Sequence, residues 1–380
     1  MSVKRRRLFL FTLLGALSLF FLLEGNLLKT PPSSLGSDDS FVVLARALNL
    51  IKNEYIQEPS PGTTLQGAFR GMVNSLDIRS SYLDPKNTDK YKKLWGKLAY
   101  ETGLVLYKTP TSFPVVIGIK ENSPAEQAEL ELGDTIGAIN GQLTLEMSML
   151  ESNLWQKNET ADLISIKILN RTGDQEISIN RELISDSFFS FNPHQGPGGI
   201  LKIYALFPPC IEEIKKKVVP QLSSQKEPLV IDLRCCHDGT LNEAKNLINI
   251  FLQKKNIGYL KTKETKKQVL HCLDLALLPE IPLFVWTNQS TIGASEAAAS
   301  ILKKYREAKV IGKKTLGLMS DETLVSLNDG SGVVLTSVIF HPYSKAESWK
   351  HGINPDVPLK GTDLHLNAYL EATQKTLSEQ

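Results

Sequence analysis

Asn288-Gln-Ser-Thr-Ile-Gly-Ala-Ser-Glu-Ala-Ala-Ala-Ser-Ile-Leu302 is the stretch from which the fold is read. Ahead of it, Ile281-Pro-Leu-Phe-Val-Trp-Thr287 is a short apolar run with β-branched and aromatic residues, which predicts a buried strand. Gly293 to Leu302 is rich in helix formers and predicts a helix, with Ser290 and Thr291 as candidate N-caps. Lys309-Val-Ile-Gly312 predicts another strand and leads into Lys313-Lys-Thr-Leu-Gly-Leu-Met-Ser320. A strand, a turn and a helix in this order lay out the place where a nucleophile is presented.

Working outward, the pattern repeats. Ile200 to Tyr204 and Pro228 to Leu233 read as strands, and Cys210 to Leu222 and Leu241 to Leu252 as helices. Alternating strands and helices imply crossover units and a largely parallel sheet. Between Gly103 and Arg181 the character changes to short alternating strands at Leu104–Leu106, Pro114–Ile117, Thr135–Ile139, Ile164–Ile168 and Glu176–Ile179. Further back, Ser40–Tyr55 and Gly62–Leu76 carry apolar residues at helical spacing. Asp363 to Leu377 predicts a C-terminal amphipathic helix.

The 380 residues, 42% of them hydrophobic, suffice for two or three domains with a large core. The formal charge is +2, and setting aside Lys4 and Arg5 to Arg7 leaves 39 basic against 41 acidic residues, so nothing electrostatic points to nucleic acid. Those four basic residues precede Leu8 to Leu23, an uncharged run with the form of a signal or membrane anchor. No clear small-x-small cleavage site follows, which favours an uncleaved anchor with the rest of the chain outside the cytoplasm, over a cleaved signal and a secreted body. Lys29 to Asp38 is a Pro/Ser/Gly linker. Cys210, Cys235, Cys236 and Cys272 show no metal spacing, nor do the six histidines, so no metal and no cofactor are expected. The run Cys236-His237-Asp238 is not read as a nucleophile, because catalytic partners meet in space rather than in sequence.

The layout around Gly293 resembles the carboxyl-terminal processing, or tail-specific, serine peptidases. Their nucleophile lies in S-A-S-A-S-E and their general-base lysine in T-F-G-K-G, twenty-five positions on. Ala294-Ser295-Glu296 and Thr315-Leu-Gly317 carry the likeness, and it places Gly293 at the nucleophile and Leu318 at the base, with the spacing kept. Glu322 falls where the family has the Gln that supports the base, and Lys304 where it often has an acidic residue. Asp232-Leu-Arg-Cys-Cys-His-Asp-Gly239 aligns with D-L-R-N-N-P-G-G, so Asp238 replaces the first glycine of the oxyanion turn. An oxygen nucleophile needs a neutral amine within hydrogen-bond reach, and neither Gly nor Leu supplies a part of that pair.

Asn122 to Gly141 matches the S-P-A…G-D-x-I…N-G pattern of PDZ domains, which take up an extended peptide by strand addition and seat its carboxylate in a loop of backbone amides. That loop and strand would be Thr102, Gly103, Leu104, Val105 and Leu106. The resemblance implies an α+β and α/β multidomain chain. An anchor (1–28) and linker (29–39) lead to an N-terminal helical segment (40–100) and a PDZ domain (101–182). A connector (183–199), a mixed α/β, crotonase-like peptidase core (200–362) and a terminal helix (363–380) follow. The expected function is that of a pseudo-peptidase that binds polypeptide C-termini or unfolded segments, tethered to the membrane and able to assemble with itself or an active relative. The alternative is an active serine peptidase with a displaced nucleophile, Ser295 or Ser290, and Lys313 or Lys314 as base.

Overall fold

The computed structural model describes residues 37–57, 60–169, 173–222, 227–265, 267–343, 349–361 and 365–379. The expected anchor over 1–28 and the linker up to residue 36 lie outside them; among the described residues no helix is long and apolar enough to cross a membrane. The chain divides into two compact units, Met1–Gly67 and Ala68–Gln380. Helix α1 (Ser37–Glu54) belongs to the first unit, and α2 (Pro61–Asn74) runs across the division. Phe41, Val42, Val43 and Leu50 of α1 stay exposed.

In the second unit, β1 (Ser81–Leu83) precedes α3 (Pro85–Leu94), whose N-cap Asp84 accepts the Asn87 amide. An antiparallel sheet follows: β2 (Leu104–Tyr107), β3 (Val115–Ile119), β4 (Thr135–Ile139), β5 (Leu163–Leu169) and β6 (Gln175–Asn180), in spatial order of sequence, with α4 (Met149–Trp155) packed beside β2. Its inward residues, among them Leu104, Leu106, Val116, Ile136, Ile164 and Ile166, make a core of their own.

The second sheet has the order β7 (Phe189–Asn192), β8 (Ile200–Ile203), β9 (Leu229–Asp232), β12 (Leu283–Thr287), β13 (Lys309–Gly312) and β16 (Val357–Pro358), parallel except for β7. Because side chains alternate across a strand, Leu201, Ile231, Val285 and Val310 enter one core with α5 (Cys210–Lys217), α6 (Leu241–Phe251) and α7 (Ala294–Arg306). Ile200, Val230, Phe284, Trp286 and Ile311 face the other way and are covered by α8 (Leu366–Ser378), with Tyr369 fully buried. The near-continuous apolar strands read from the sequence are thus explained by burial on both faces.

A third sheet joins β1, β10 (Asn256–Lys261), β11 (Gln268–His271), β14 (Ser320–Ser326) and β15 (Gly332–His341), all antiparallel. It corrects the sequence reading in two places. Residues 40–100 are not all helical, since Ser81–Leu83 pairs with Gly332–Val334. The expected helix Cys210–Leu222 ends at Lys217 and a separate turn spans Val219–Leu222. Pro220 cannot supply the amide that an unbroken helix needs.

Candidate functional site

β12 delivers the chain to Gly293, which is the N-cap of α7 with φ 73° and ψ −118°. This left-handed turn is strained for a side-chain-bearing residue, and strain of this kind is what presents a nucleophile at a strand-to-helix junction. Gly293 brings no side chain to this turn. A Cβ at this position would lie 3.5 Å from Arg79 Nη2, 3.7 Å from Leu318 O and 3.8 Å from Ser320 O, so a small side chain fits sterically.

Glu296 builds the site around that turn. Its buried carboxylate accepts the amides of Gly317 at 2.6 Å, Leu318 at 2.7 Å and Gly293 at 3.2 Å, tying the 315–318 loop to the start of α7. Burial raises its pKa, and the hydrogen bonds from Thr315, Gly317, Leu318 and Gly293 work against that rise. The Leu318 side chain is buried in an apolar cluster with Met149 and Ile292, so no amine reaches Gly293 from that position.

The cation beside Gly293 comes from Arg79 instead. Asp77 Oδ1 accepts the amides of Arg79 and Ser80 and the hydroxyl of Thr336, which fixes the turn carrying Arg79 to β15. Arg79 Nε and Nη2 then donate to the two oxygens of Glu322 at 2.8 and 2.6 Å, and Ser320 Oγ donates to Glu322 at 2.7 Å. Burial works against the Arg79 charge, and Glu322 outweighs it, so the guanidinium is held even more firmly protonated than usual. A guanidinium cannot take a proton, so it is no general base. Glu322, expected to stand for the base's support, is the counterion of Arg79.

Asp238 lies in the turn after β9. Its carboxylate pairs with Lys157, from the short strand Lys157–Asn158, and lies 3.6 Å from His237 Nε2. Burial pushes the Asp238 pKa up, and the Lys157 ammonium outweighs this and holds it well below the carboxylate range. His237 is pushed down to about 4, chiefly by burial, and is neutral at pH 7. Its Nδ1 donates to Cys235 O at 3.1 Å, while Nε2 has no hydrogen-bond partner among the described residues. Gly239 has no room for a side chain, because a Cβ there would meet Leu206 at 2.6 Å.

The fallback residues do not assemble. Ser295 Oγ donates to Cys236 O at 2.6 Å and Ile292 O at 3.0 Å; Ser290 Oγ donates to Asn288 Oδ1 at 2.9 Å. Both serines are buried and serve the turn. Nor do Ser290 and Thr291 cap α7, since Thr291 Oγ1 donates to Leu233 O at 2.8 Å and Gly293 is the cap. Lys313 is half-buried, Lys314 is exposed, and neither is among the partners of these hydroxyls. Lys304 is exposed, its ammonium 5.4 Å from the Tyr305 ring.

The expected peptide strand is closed. Thr102, Leu104, Val105 and Leu106 are all at most 3% exposed, and Thr102 Oγ1 is spent on Gln156 at 2.7 Å. A Cβ on Gly103 would fall 2.2 Å from Ser123. On α4, Asn153 accepts the Leu106 amide at 3.0 Å and donates to the Leu106 carbonyl at 2.8 Å, the two bonds an added strand would make there. The open space lies next to it: a cleft of about 130 Å³ bounded by Trp95, Leu150, Phe207, His237, Asp238 and Glu322.

The arrangement is a strand-to-helix turn at Gly293 bordered by the Arg79–Glu322 pair, the buried Leu318 and the Lys157–Asp238 pair. Residues 200–359 match the model of Peptidase family S41. The chain is 26% identical over 362 residues to the carboxy-terminal processing protease CtpA of Bacillus subtilis, covering 94% of this chain and 77% of that protein. It is 25% identical over 321 residues to the carboxy-terminal-processing protease of Bartonella bacilliformis, covering 81% and 72%. Among solved structures, the photosystem II D1 C-terminal processing protease matches with a TM-score of 0.66 at 19% identity, over 89% of this chain and 97% of that one, a likeness of mixed α/β fold. The chain is homologous to carboxy-terminal processing proteases, and the match to the S41 family model is confined to residues 200–359.

Arg79, Lys157, Asn153 and the role of Glu296 were not found from the sequence. Only Glu296 carried a signal, as the acidic third residue after a helix N-cap.

Proposed function

We propose that this protein is a pseudo-peptidase: it holds polypeptide in the cleft beside Gly293 and does not cleave it. The observation that carries this reading is the Arg79–Glu322 pair standing beside a nucleophile position that has no side chain. Every function of the lost dyad is missing there, because the groups present are a permanent cation, its counterion and the buried apolar Leu318.

The antiparallel domain over 101–182 is PDZ-like in this reading. Its strand edge at Leu106 is taken by Asn153, so polypeptide enters the adjoining cleft, where Trp95, Phe207 and Leu150 offer apolar contact. The N-terminal run Leu8–Leu23 tethers the body outside the cytoplasm, where it sequesters substrates or assembles with an active relative. The names of the relatives, carboxy-terminal processing proteases, support polypeptide as the ligand class.

The test is binding and turnover in one sample. A fluorescent unfolded polypeptide should gain anisotropy on titration with the protein and be recovered at full length. Trp95→Ala with Phe207→Ala should weaken the binding several-fold. A ligand that never gains anisotropy, or one recovered shortened, overturns the reading.

A further inference from the structure

The connection between β11 and β12 exposes three leucines: Leu273, Leu275 and Leu277 at 58%, 76% and 51%. Cys272 and Leu278 on the same connection are buried in the main core. The backbone is pinned in this attitude. Leu273 N donates to Asn249 Oδ1 at 3.0 Å, Lys254 N to Leu273 O at 2.8 Å, and Ala276 N to Gln253 Oε1 at 3.3 Å. Exposure of the leucines is therefore a feature of the folded loop, and exposed apolar clusters of this kind mark interaction surfaces.

Lysines and tyrosines continue the same face. Lys254 and Lys255 are exposed, and Lys255 Nζ lies 5.6 Å from the centre of the Tyr305 ring. Lys304 Nζ lies 5.4 Å from Tyr305 and 6.0 Å from Tyr343; Lys267 Nζ lies 5.9 Å from Tyr343 and 5.1 Å from Tyr259. These contacts run without a break from the leucine loop to β10. The exposed carboxylates on the neighbouring connections are Glu264, Asp274, Glu280 and Glu307, against the exposed lysines Lys254, Lys255, Lys261, Lys263, Lys267 and Lys304.

We infer that this face docks on an anionic lipid surface. Leucines supply the side chains that enter the acyl boundary, tyrosines the rings that sit at headgroup level, and lysines the cations that pair with lipid phosphate while their stems stay on apolar surface. Charge complementarity selects anionic lipid over a neutral one. None of these residues lines the cleft beside Gly293, so the inference stands apart from the proposed function. An anchor at Leu8–Leu23 would hold the body near a bilayer and favour the docking by effective concentration.

The experiment uses the full chain with Leu275→Cys carrying an environment-sensitive nitrobenzoxadiazole label, which is selective because the four native cysteines are buried. A second label at Leu163, 61% exposed on β5, reports on the rest of the body. Vesicles are phosphatidylcholine alone or mixed with phosphatidylglycerol; insertion of the N-terminal run in either kind leaves both labels in water unless the face docks. Docking predicts a blue shift and a several-fold brightening at position 275 on the anionic vesicles only. High salt, or Lys254→Glu with Lys255→Glu and Lys304→Glu, should abolish it, and position 163 should not change. No response at 275, an equal response at 163, or a response without phosphatidylglycerol overturns the inference. A response that grows with protein concentration in the absence of vesicles overturns it too, assigning the face to a second copy of the chain.

Discussion

Arg79 and Glu322, 243 residues apart in sequence, form a two-point ion pair at 2.8 and 2.6 Å directly beside Gly293. Their side chains are 14% and 16% exposed. A pair this buried contributes little over an apolar replacement, but removing one partner strands the other charge. Glu322→Leu should therefore cost on the order of 3 kcal/mol. Arg79→Met combined with Glu322→Leu should cost clearly less than the sum of the single changes. Urea midpoints of the four proteins measure this, and additive costs would show that the pair is not coupled.

On the pseudo-peptidase reading, Gly293→Ser with Leu318→Lys should not by itself produce hydrolysis. A Cβ at Gly293 lies 3.5 Å from Arg79 Nη2, so the Oγ of Gly293→Ser meets a guanidinium donor rather than a base, and the positive φ adds strain of about 1–3 kcal/mol. Losing the nucleophile or base of such a unit costs nearly as much as losing the whole unit, so single repairs recover almost nothing. We expect Gly293→Ser with Leu318→Lys to stay at background. Activity should appear only when Arg79→Ala, Glu322→Gln and Asp238→Gly are added. Turnover by the double variant would show that Arg79 does not obstruct.

Asn153 should guard the edge of β2. Asn153→Ala leaves the buried Leu106 amide and carbonyl unpaired, a loss of about 1–3 kcal/mol. The same change frees that edge for strand addition. The native protein should bind a peptide with a free carboxyl end and its amidated form equally, whereas Asn153→Ala should prefer the free acid. Calorimetric titration of both forms decides it, and a preference already present in the native protein would mean that the closed edge opens.

Asp321 gives the pH dependence a sign. Burial first, and then the neighbouring Glu322 charge, push its carboxyl up to about 6, against the help of the Leu241 amide. Unfolded, it titrates near 3.8, so between about 4 and 6 the folded state holds the extra proton and stability falls as pH rises. With screening at this partly exposed site the drop is about 1–2 kcal/mol. Asp321→Asn keeps an acceptor for the Leu241 amide and should flatten the fall. An unchanged slope in thermal melts across that window assigns it to another group.

Much of the fold was legible because it rests on local pattern. The runs at Leu229–Asp232 and Leu283–Thr287 are apolar throughout since both faces are covered, and the helix after Gly293 begins within one residue of its expected start. The spacing that puts Gly293 and Leu318 at one site survives because Glu296 binds both backbones. What sequence could not give were partners joined only by folding. Arg79 arrives just ahead of β1, whose three residues read as part of a helical segment, and Lys157 reaches Asp238 across 81 residues of sequence. Asn153 looks like an ordinary polar helix residue until β2 is placed against it.

The proposal that the chain lacks peptidase chemistry is tested most directly by prolonged incubation of the purified, unmodified chain with an unfolded protein, read by mass spectrometry of all peptides against a blank without the chain. We expect no peptide beyond the blank. Ser295→Ala should change only stability, by about 1 kcal/mol through its lost bond to Cys236 O. Reproducible cleavage by the unmodified chain that vanishes with Ser295→Ala or Ser290→Ala would establish a displaced nucleophile and refute the pseudo-peptidase reading.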